Sequence, residues 1–188
     1  MEIVTNTGKK EIVDTKFVEL VQQRSGKDLQ QCYQCFKCSA GCPVSFAMDW
    51  NPNQIIRMVQ LGLRDKVLSS TTIWICASCE TCFTRCPNKV DLPALMDSLK
   101  EIALEEGVKS AAAHIPTFHR VFLGCIREYG RLHEISLLAA YKMLSLKIFK
   151  EDMILGLQMF MKGKLKLLPT RIKNIDEIEE IFKTFGNK

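Results

Sequence analysis

The sequence predicts a mainly α-helical protein, and three observations predict it. Apolar residues recur at helical spacing through most of the 188 residues. Eight of the nine cysteines fall into two copies of one short pattern, Cys32, Cys35, Cys38, Cys42-Pro43 and Cys76, Cys79, Cys82, Cys86-Pro87. The segment joining the copies reads as helix rather than strand.

The first residues are the exception to helix. Glu2-Ile3-Val4 and Glu11-Ile12-Val13 flank a turn-like Thr5-Asn6-Thr7-Gly8, which suits a small hairpin. After Asp14, the residues Phe17, Val18, Leu20 and Val21 lie on one helical face, and Gly26 closes the pattern. Between the motifs, Asn51-Pro52 supplies an N-cap and an N1 proline for a helix through Ile55, Ile56, Met58, Val59 and Leu61, which Gly62 breaks. A second short helix follows from Leu63 to Leu68. Beyond the second motif, Asp91 caps a helix with Pro93 in its first turn and Leu95, Leu99, Ile102 and Ala103 as its buried stripe, before Gly107 ends it. Further helices are expected at roughly 116 to 129, 131 to 147, 151 to 162 and 175 to 184, separated by Gly130, Gly163 and Pro169.

The cysteine spacing is the ligand frame of two 4Fe-4S clusters. A cubane needs four converging thiolates, and two-residue gaps on a tightly curled backbone bring three together. The fourth cysteine, three residues on, points away from that core, and in two-cluster ferredoxins it ligates the other cluster. One cluster is therefore assigned to Cys32, Cys35, Cys38 and Cys86, and the second to Cys76, Cys79, Cys82 and Cys42. Pro43 and Pro87 turn the chain away after the last ligand. A disulfide framework suits a secreted chain, and no apolar leader is expected here because Lys9, Lys10, Glu11, Asp14 and Lys16 interrupt the start. Structural zinc also uses Cys-x2-Cys pairs, but requires neither the third cysteine nor the Cys-Pro. A thioredoxin-like redox pair needs a strand before it, and neither motif has one.

Composition narrows the setting. The longest apolar runs, such as Ile135 to Tyr141, are too short to span a bilayer, so a cytoplasmic protein without a membrane span is expected. The net charge of +5 is concentrated between Lys142 and Lys173, with eight basic and two acidic side chains. That segment suits docking on an acidic partner or anionic lipid, or a solvated face partly offset by Asp176, Glu177, Glu179 and Glu180. Nucleic acid is not expected, since no aromatic-basic reading motif accompanies the charge. His114, His119 and His133 lie outside any catalytic constellation, and no catalytic residue is assigned. Cys125 reads as a buried inert thiol, and Met153, Met159 and Met161 as core or interface filler. Tyr33, Phe36, Phe83 and Ile75, beside the ligands, are expected to shield the clusters from water.

The paired motifs, the helical insert and a tail containing Glu128-Tyr129-Gly130-Arg131-Leu132-His133-Glu134 and Gly163-Lys164-Leu165-Lys166-Leu167-Leu168-Pro169 resemble the C subunit of CoB-CoM heterodisulfide reductase from methanogenic archaea, over nearly the whole chain. The motifs alone also resemble iron-sulfur subunits of succinate, glycerol-3-phosphate and lactate or glycolate dehydrogenases, and a zinc scaffold stays open beside them. The resemblance implies an α-helical ferredoxin domain over residues 1–110, with 1–13 as a hairpin arm, and a helical docking extension over 111–188. It implies two 4Fe-4S clusters passing electrons from a flavin-bearing A subunit to a catalytic B subunit that reduces CoM-S-S-CoB. A hydrogenase or formate dehydrogenase could join the larger assembly.

Overall fold

The computed structural model describes residues 2–4, 10–26, 28–109, 112, 114–145, 158–159, 161–163 and 168–185. It is mainly helical and divides into two units, Met1–Ala112 and Ala113–Lys188.

In the first unit, β1 (Glu2–Val4) pairs antiparallel with β2 (Lys10–Ile12), Ile3 facing Glu11. The hairpin leads into α1 (Thr15–Ser25), whose start is fixed by the Asp14 carboxylate accepting from Phe17 N at 3.2 Å, and whose end is the left-handed Gly26. Asp14 N also donates to Gly62 O at 2.9 Å. Gly62 has φ +67°, and a Cβ there would lie 2.6 Å from Asp14 O, so only glycine lets the chain turn this close to α1.

The insert between the motifs holds three helices. They are α3 (Pro52–Gln60), α4 (Arg64–Leu68) and α5 (Thr72–Ile75); α2 (Lys37–Ala40) and α6 (Thr81–Thr84) lie inside the motifs themselves. Asn51 and Pro52 open α3 as the sequence predicts, and Gln54 Oε1 accepts from Asn51 N at 2.8 Å. The short α5 was not expected, because four residues carry no periodicity. Its start is fixed from elsewhere: Asp49 accepts from Thr71 N at 2.8 Å, Thr72 N at 3.0 Å, Thr72 Oγ1 at 2.7 Å and Ser70 Oγ at 2.7 Å.

The helix α7 (Leu92–Glu105) is the spine of this unit, packing on α1, α4, α5 and α6. Asp91 caps it through Ala94 N at 3.0 Å. Leu95, Leu99, Ile102 and Ala103 are buried as their spacing predicts, in a core with Phe17 and Val21 of α1, Ile55, Ile56 and Val59 of α3, and Val67, Leu68 and Ile73. Burying each such aliphatic side chain contributes about 1.5–3 kcal/mol.

The second unit contains α8 (His114–Tyr129), α9 (Glu134–Ser145) and α10 (Ile175–Phe185). Val121, Cys125 and Leu137 form its small core, flanked by Phe122, Tyr129, Leu132, Ala140 and Tyr141. Helix α9 starts at Glu134 rather than at 131, because His133 acts as its cap: Ser136 N donates to His133 Nδ1 at 3.3 Å and Leu137 N to His133 O at 3.0 Å. A Cβ on Gly130, φ +70°, would run into Ile172, whose N–H donates to Tyr129 O at 3.1 Å. Most of the helix expected at 151 to 162, with Met153, lies outside the described residues, as do Lys164 and Lys166; Met159 and Met161 are exposed. Among the described residues no helix is long and apolar enough to cross a membrane.

Candidate iron-sulfur centres

Each cysteine motif is a loop bent by left-handed residues. Gln34 and Phe36 (φ 63° and 66°) flank Cys35, and Ser78 and Glu80 (φ 48° and 61°) flank Cys79. Each loop then enters a one-turn helix, α2 or α6, and these two helices pack on each other. The reversals of backbone direction let cysteines two residues apart face one interior.

Two cavities result. The first is lined by Cys32, Cys35, Cys38, Cys82 and Cys86. The second is lined by Cys76, Cys79, Cys82 and Cys42. Cys42 and Cys86 thus each stand in the cavity of the other loop. Cys82 and Leu92 line both. All nine cysteines are free thiols. Among the described residues no three His, Cys, Asp or Glu side chains close on a point that one ion could occupy. Cysteines gathered around each cavity suit a cubane, whose own core spans the gap between its ligands.

Four of the motif thiols are shifted from their ordinary pKa. Burial pushes Cys38 and Cys76 up, and pushes Cys82 up to about 12, with nearby Cys76 adding to the effect. Exposed Cys79 moves the other way, because the Thr81 hydroxyl, 3.4 Å from its sulfur, can donate to the thiolate. Buried thiols of this kind stay protonated until a metal displaces the proton. Cys125 is buried in the small core of the second unit, where burial raises its pKa.

The apolar walls are not those the sequence suggests. Tyr33 and Phe36 are 61% and 59% exposed, Phe83 and Ile75 are half-buried, and only Phe36 of the four lines a cavity. Water is excluded instead by Ile56, Val90 and Leu92 at the first cavity, and by Val44, Met48, Pro52, Leu92, Pro93 and Met96 at the second. Helices α3 and α7 supply most of this shield, since they carry the core and hold side chains rigidly over the loops.

Sequence reasoning also missed several polar residues. Gln34 Nε2 donates to Cys32 Sγ at 3.5 Å, and Val90 N to Cys86 Sγ at 3.3 Å. Lys100 Nζ donates to Cys76 O at 3.3 Å and to Asp97 Oδ1 at 2.9 Å; its side chain is 17% exposed, and its charge lowers the pKa of Cys76 against the dominant effect of burial. The position of Lys100 on α7, one residue past Leu99 of the buried stripe, was the only signal for it.

Each of the two adjacent cavities thus gathers cysteines from both motifs. Residues 28–90 match the 4Fe-4S dicluster domain family. Two 4Fe-4S clusters are the cofactors of this chain. The dicluster domain holds all eight motif cysteines, and its boundaries run from just before Cys32 to just after Cys86.

Relatives extend the similarity beyond the dicluster domain. The chain is 32% identical over 107 residues to the C subunit of the H(2):CoB-CoM heterodisulfide,ferredoxin reductase of Methanothermobacter marburgensis, covering 57% of this chain and 58% of that one. It is 38% identical over 91 residues to the second C-type iron-sulfur subunit of the CoB--CoM heterodisulfide reductase of Methanocaldococcus jannaschii, 48% of each chain. It is 34% identical over 84 residues to the C-type iron-sulfur subunit of the same reductase from Methanopyrus kandleri, 45% of this chain and 44% of that one. The matched stretches thus span about half the length of these relatives, less than the whole-chain resemblance read from the motifs and tail.

Proposed function

We propose that this chain is the iron-sulfur electron-transfer subunit of a heterodisulfide reductase complex in the cytoplasm. In this reading it takes electrons from a flavin-bearing A subunit and delivers them to a catalytic B subunit. There CoM-S-S-CoB is cleaved to two thiols with two electrons and two protons. The observation that carries the reading is the exchange of Cys42 and Cys86 between the two cavities, together with similarity to the C subunits of such reductases.

Cys32, Cys35, Cys38 and Cys86 would hold one cluster, and Cys76, Cys79, Cys82 and Cys42 the other. When bound, each cluster accepts and releases one electron at a time. The chain's own residues do the rest. The crossed ligands lock the two loops into one body, and Cys82 and Leu92, common to both cavities, keep the centres adjacent. Helices α3 and α7 exclude water. The second unit would serve as a docking extension, its basic stretch between Lys142 and Lys173 facing acidic surface on a partner.

The test is Cys86→Ser and Cys42→Ser, each purified anaerobically and examined by iron and sulfide analysis and by EPR. Wild-type protein should carry about eight irons with equivalent sulfide, from two cubanes. Cys86→Ser should alter the signal of the centre built mainly from the first motif, and Cys42→Ser that of the second. If each substitution alters the centre of its own motif, the crossed assignment is wrong. Reversing Lys162, Lys164 and Lys166 to Glu should weaken co-purification with partner subunits in a salt-sensitive way; unchanged co-purification would remove the docking role.

A further inference from the structure

Among the described residues, the first cavity has an amide network with no counterpart in the second. Asn53, in the first turn of α3, is 3% exposed and lines the first cavity together with Gln34. Its hydrogen bonds run in one direction. Ser39 Oγ accepts from Asn53 N at 3.1 Å and donates to Asn53 Oδ1 at 2.5 Å. Asn53 Nδ2 is then the remaining donor, and it donates to Gln34 Oε1 at 3.1 Å. With its oxygen so occupied, Gln34 can present only Nε2 to the cluster side, where it reaches Cys32 Sγ at 3.5 Å.

Each link orients the next, because an amide has one donor end and one acceptor end. The network is also expensive to maintain without a use. Gln34 holds φ 63°, where a branched or long side chain is strained, and Asn53 is a polar side chain placed in an otherwise apolar wall. At the equivalent position of the second loop stands Ser78, whose hydroxyl turns away to Asp97 Oδ1 at 3.1 Å.

From this we infer that Ser39 and Asn53 are positioning residues that aim the Gln34 amide at Cys32 Sγ, setting the reduction potential of the first centre and leaving the second alone. A donor to a ligand sulfur stabilises the more negative, reduced state, so the network raises the potential of the centre it touches. The inference rests on the ligand assignment proposed above.

Gln34→Leu and Asn53→Asp, made in the full chain and loaded with clusters, test it by EPR-monitored redox titration. Gln34→Leu removes the donor. Asn53→Asp keeps the shape but cannot donate to Gln34 Oε1, so the Gln34 amide turns its nitrogen toward the carboxylate and away from sulfur. Both should lower one potential, that of the centre altered by Cys86→Ser, with the other potential and the iron content unchanged. Asn53→Ala provides the same reading should the carboxylate impair cluster loading, since Gln34 then stays in place without being aimed. Unmoved potentials in Gln34→Leu overturn the tuning role and leave the ligand assignment intact. A shift confined to the centre altered by Cys42→Ser overturns the ligand assignment itself, and the inference with it.

Discussion

Asp49 is the residue whose loss should be felt most specifically. Its carboxylate takes both backbone N–H groups at the start of α5, together with two hydroxyls, and so fixes the approach to Cys76 from a loop on the far side of the insert. Burial alone would raise its pKa, but the hydrogen bonds from Thr72, Ser70 and the Thr71 and Thr72 amides outweigh it and hold the carboxyl at about 2, against an ordinary 3.8. For a fully buried group that difference would amount to ~2.5 kcal/mol. Asp49 is an exposed residue, so solvent screening reduces the figure to about 1 kcal/mol. Removing the cap altogether also takes the acceptor from Thr71 N, while Thr72 N keeps Ser70 Oγ at 3.1 Å, and the total for Asp49→Ala becomes about 1–2 kcal/mol. A local loss of that size raises the open fraction about 5–30-fold. Hydrogen–deuterium exchange at pH 7, followed by mass spectrometry on peptides covering 69–76, should therefore show Thr71 and Thr72 exchanging faster by that factor, with α7 peptides unchanged. Because the folded pKa is depressed, the stabilisation is whole above pH 3.8 and fades only as pH falls toward about 2, so the difference should be constant between about pH 6 and 8. Unchanged exchange at 69–76, or an equal rise throughout the unit, would refute the reasoning.

Two other perturbations follow from the same geometry. Lys100→Met removes the half-buried ammonium held at Cys76 O, and the centre to which Cys76 contributes should fall in potential while the first centre is unmoved; redox titration of the variant decides it, and an unchanged potential means the charge is screened. Leu99→Ala empties a fully buried site in the middle of α7 and should cost about 2–5 kcal/mol, seen as a lower urea midpoint in far-UV circular dichroism, where a loss under about 1 kcal/mol would mean that α7 is not the spine of the core.

The parts of this chain that were legible in the sequence are those decided locally. The cysteine pattern is a backbone requirement written into spacing, and α3 and α7 announce themselves through Asn51-Pro52 and Asp91 with Pro93, residues within one turn of the structure they cap. What was not legible depends on residues far apart in sequence. Asp49 meets Thr72 across 23 positions, and Asn53 meets Gln34 across 19, and nothing near either residue signals the pairing. The shield was misplaced for the same reason: Tyr33, Phe83 and Ile75 sit beside the ligands in sequence but line neither cavity, and apart from Phe36 the walls come mostly from helices elsewhere in the chain. In the second unit, His133 displaced the start of α9 because a histidine is an uncommon cap.

The left-handed residues carry this reasoning one step further. Among the described residues, four of the five non-glycine residues with positive φ occupy equivalent places in the two loops: Gln34 and Ser78, then Phe36 and Glu80. Each costs on the order of 1 kcal/mol or more in strain, which glycine would avoid. Three of the four have a side chain that glycine could not replace. Gln34 reaches Cys32, Phe36 lines the first cavity, and Ser78 bonds Asp97, which in turn binds Lys100. The Glu80 side chain makes no hydrogen bond or ion pair with another described residue. The repeated backbone therefore fixes where the sulfurs point, and the side chains placed on it at a cost in strain are those that distinguish one centre from the other. The Gln34 amide meets a cysteine sulfur at the first cavity, and Ser78 joins the Asp97–Lys100 pair that meets the Cys76 carbonyl at the second. Two cavities with matching sets of cysteines thus have different polar surroundings.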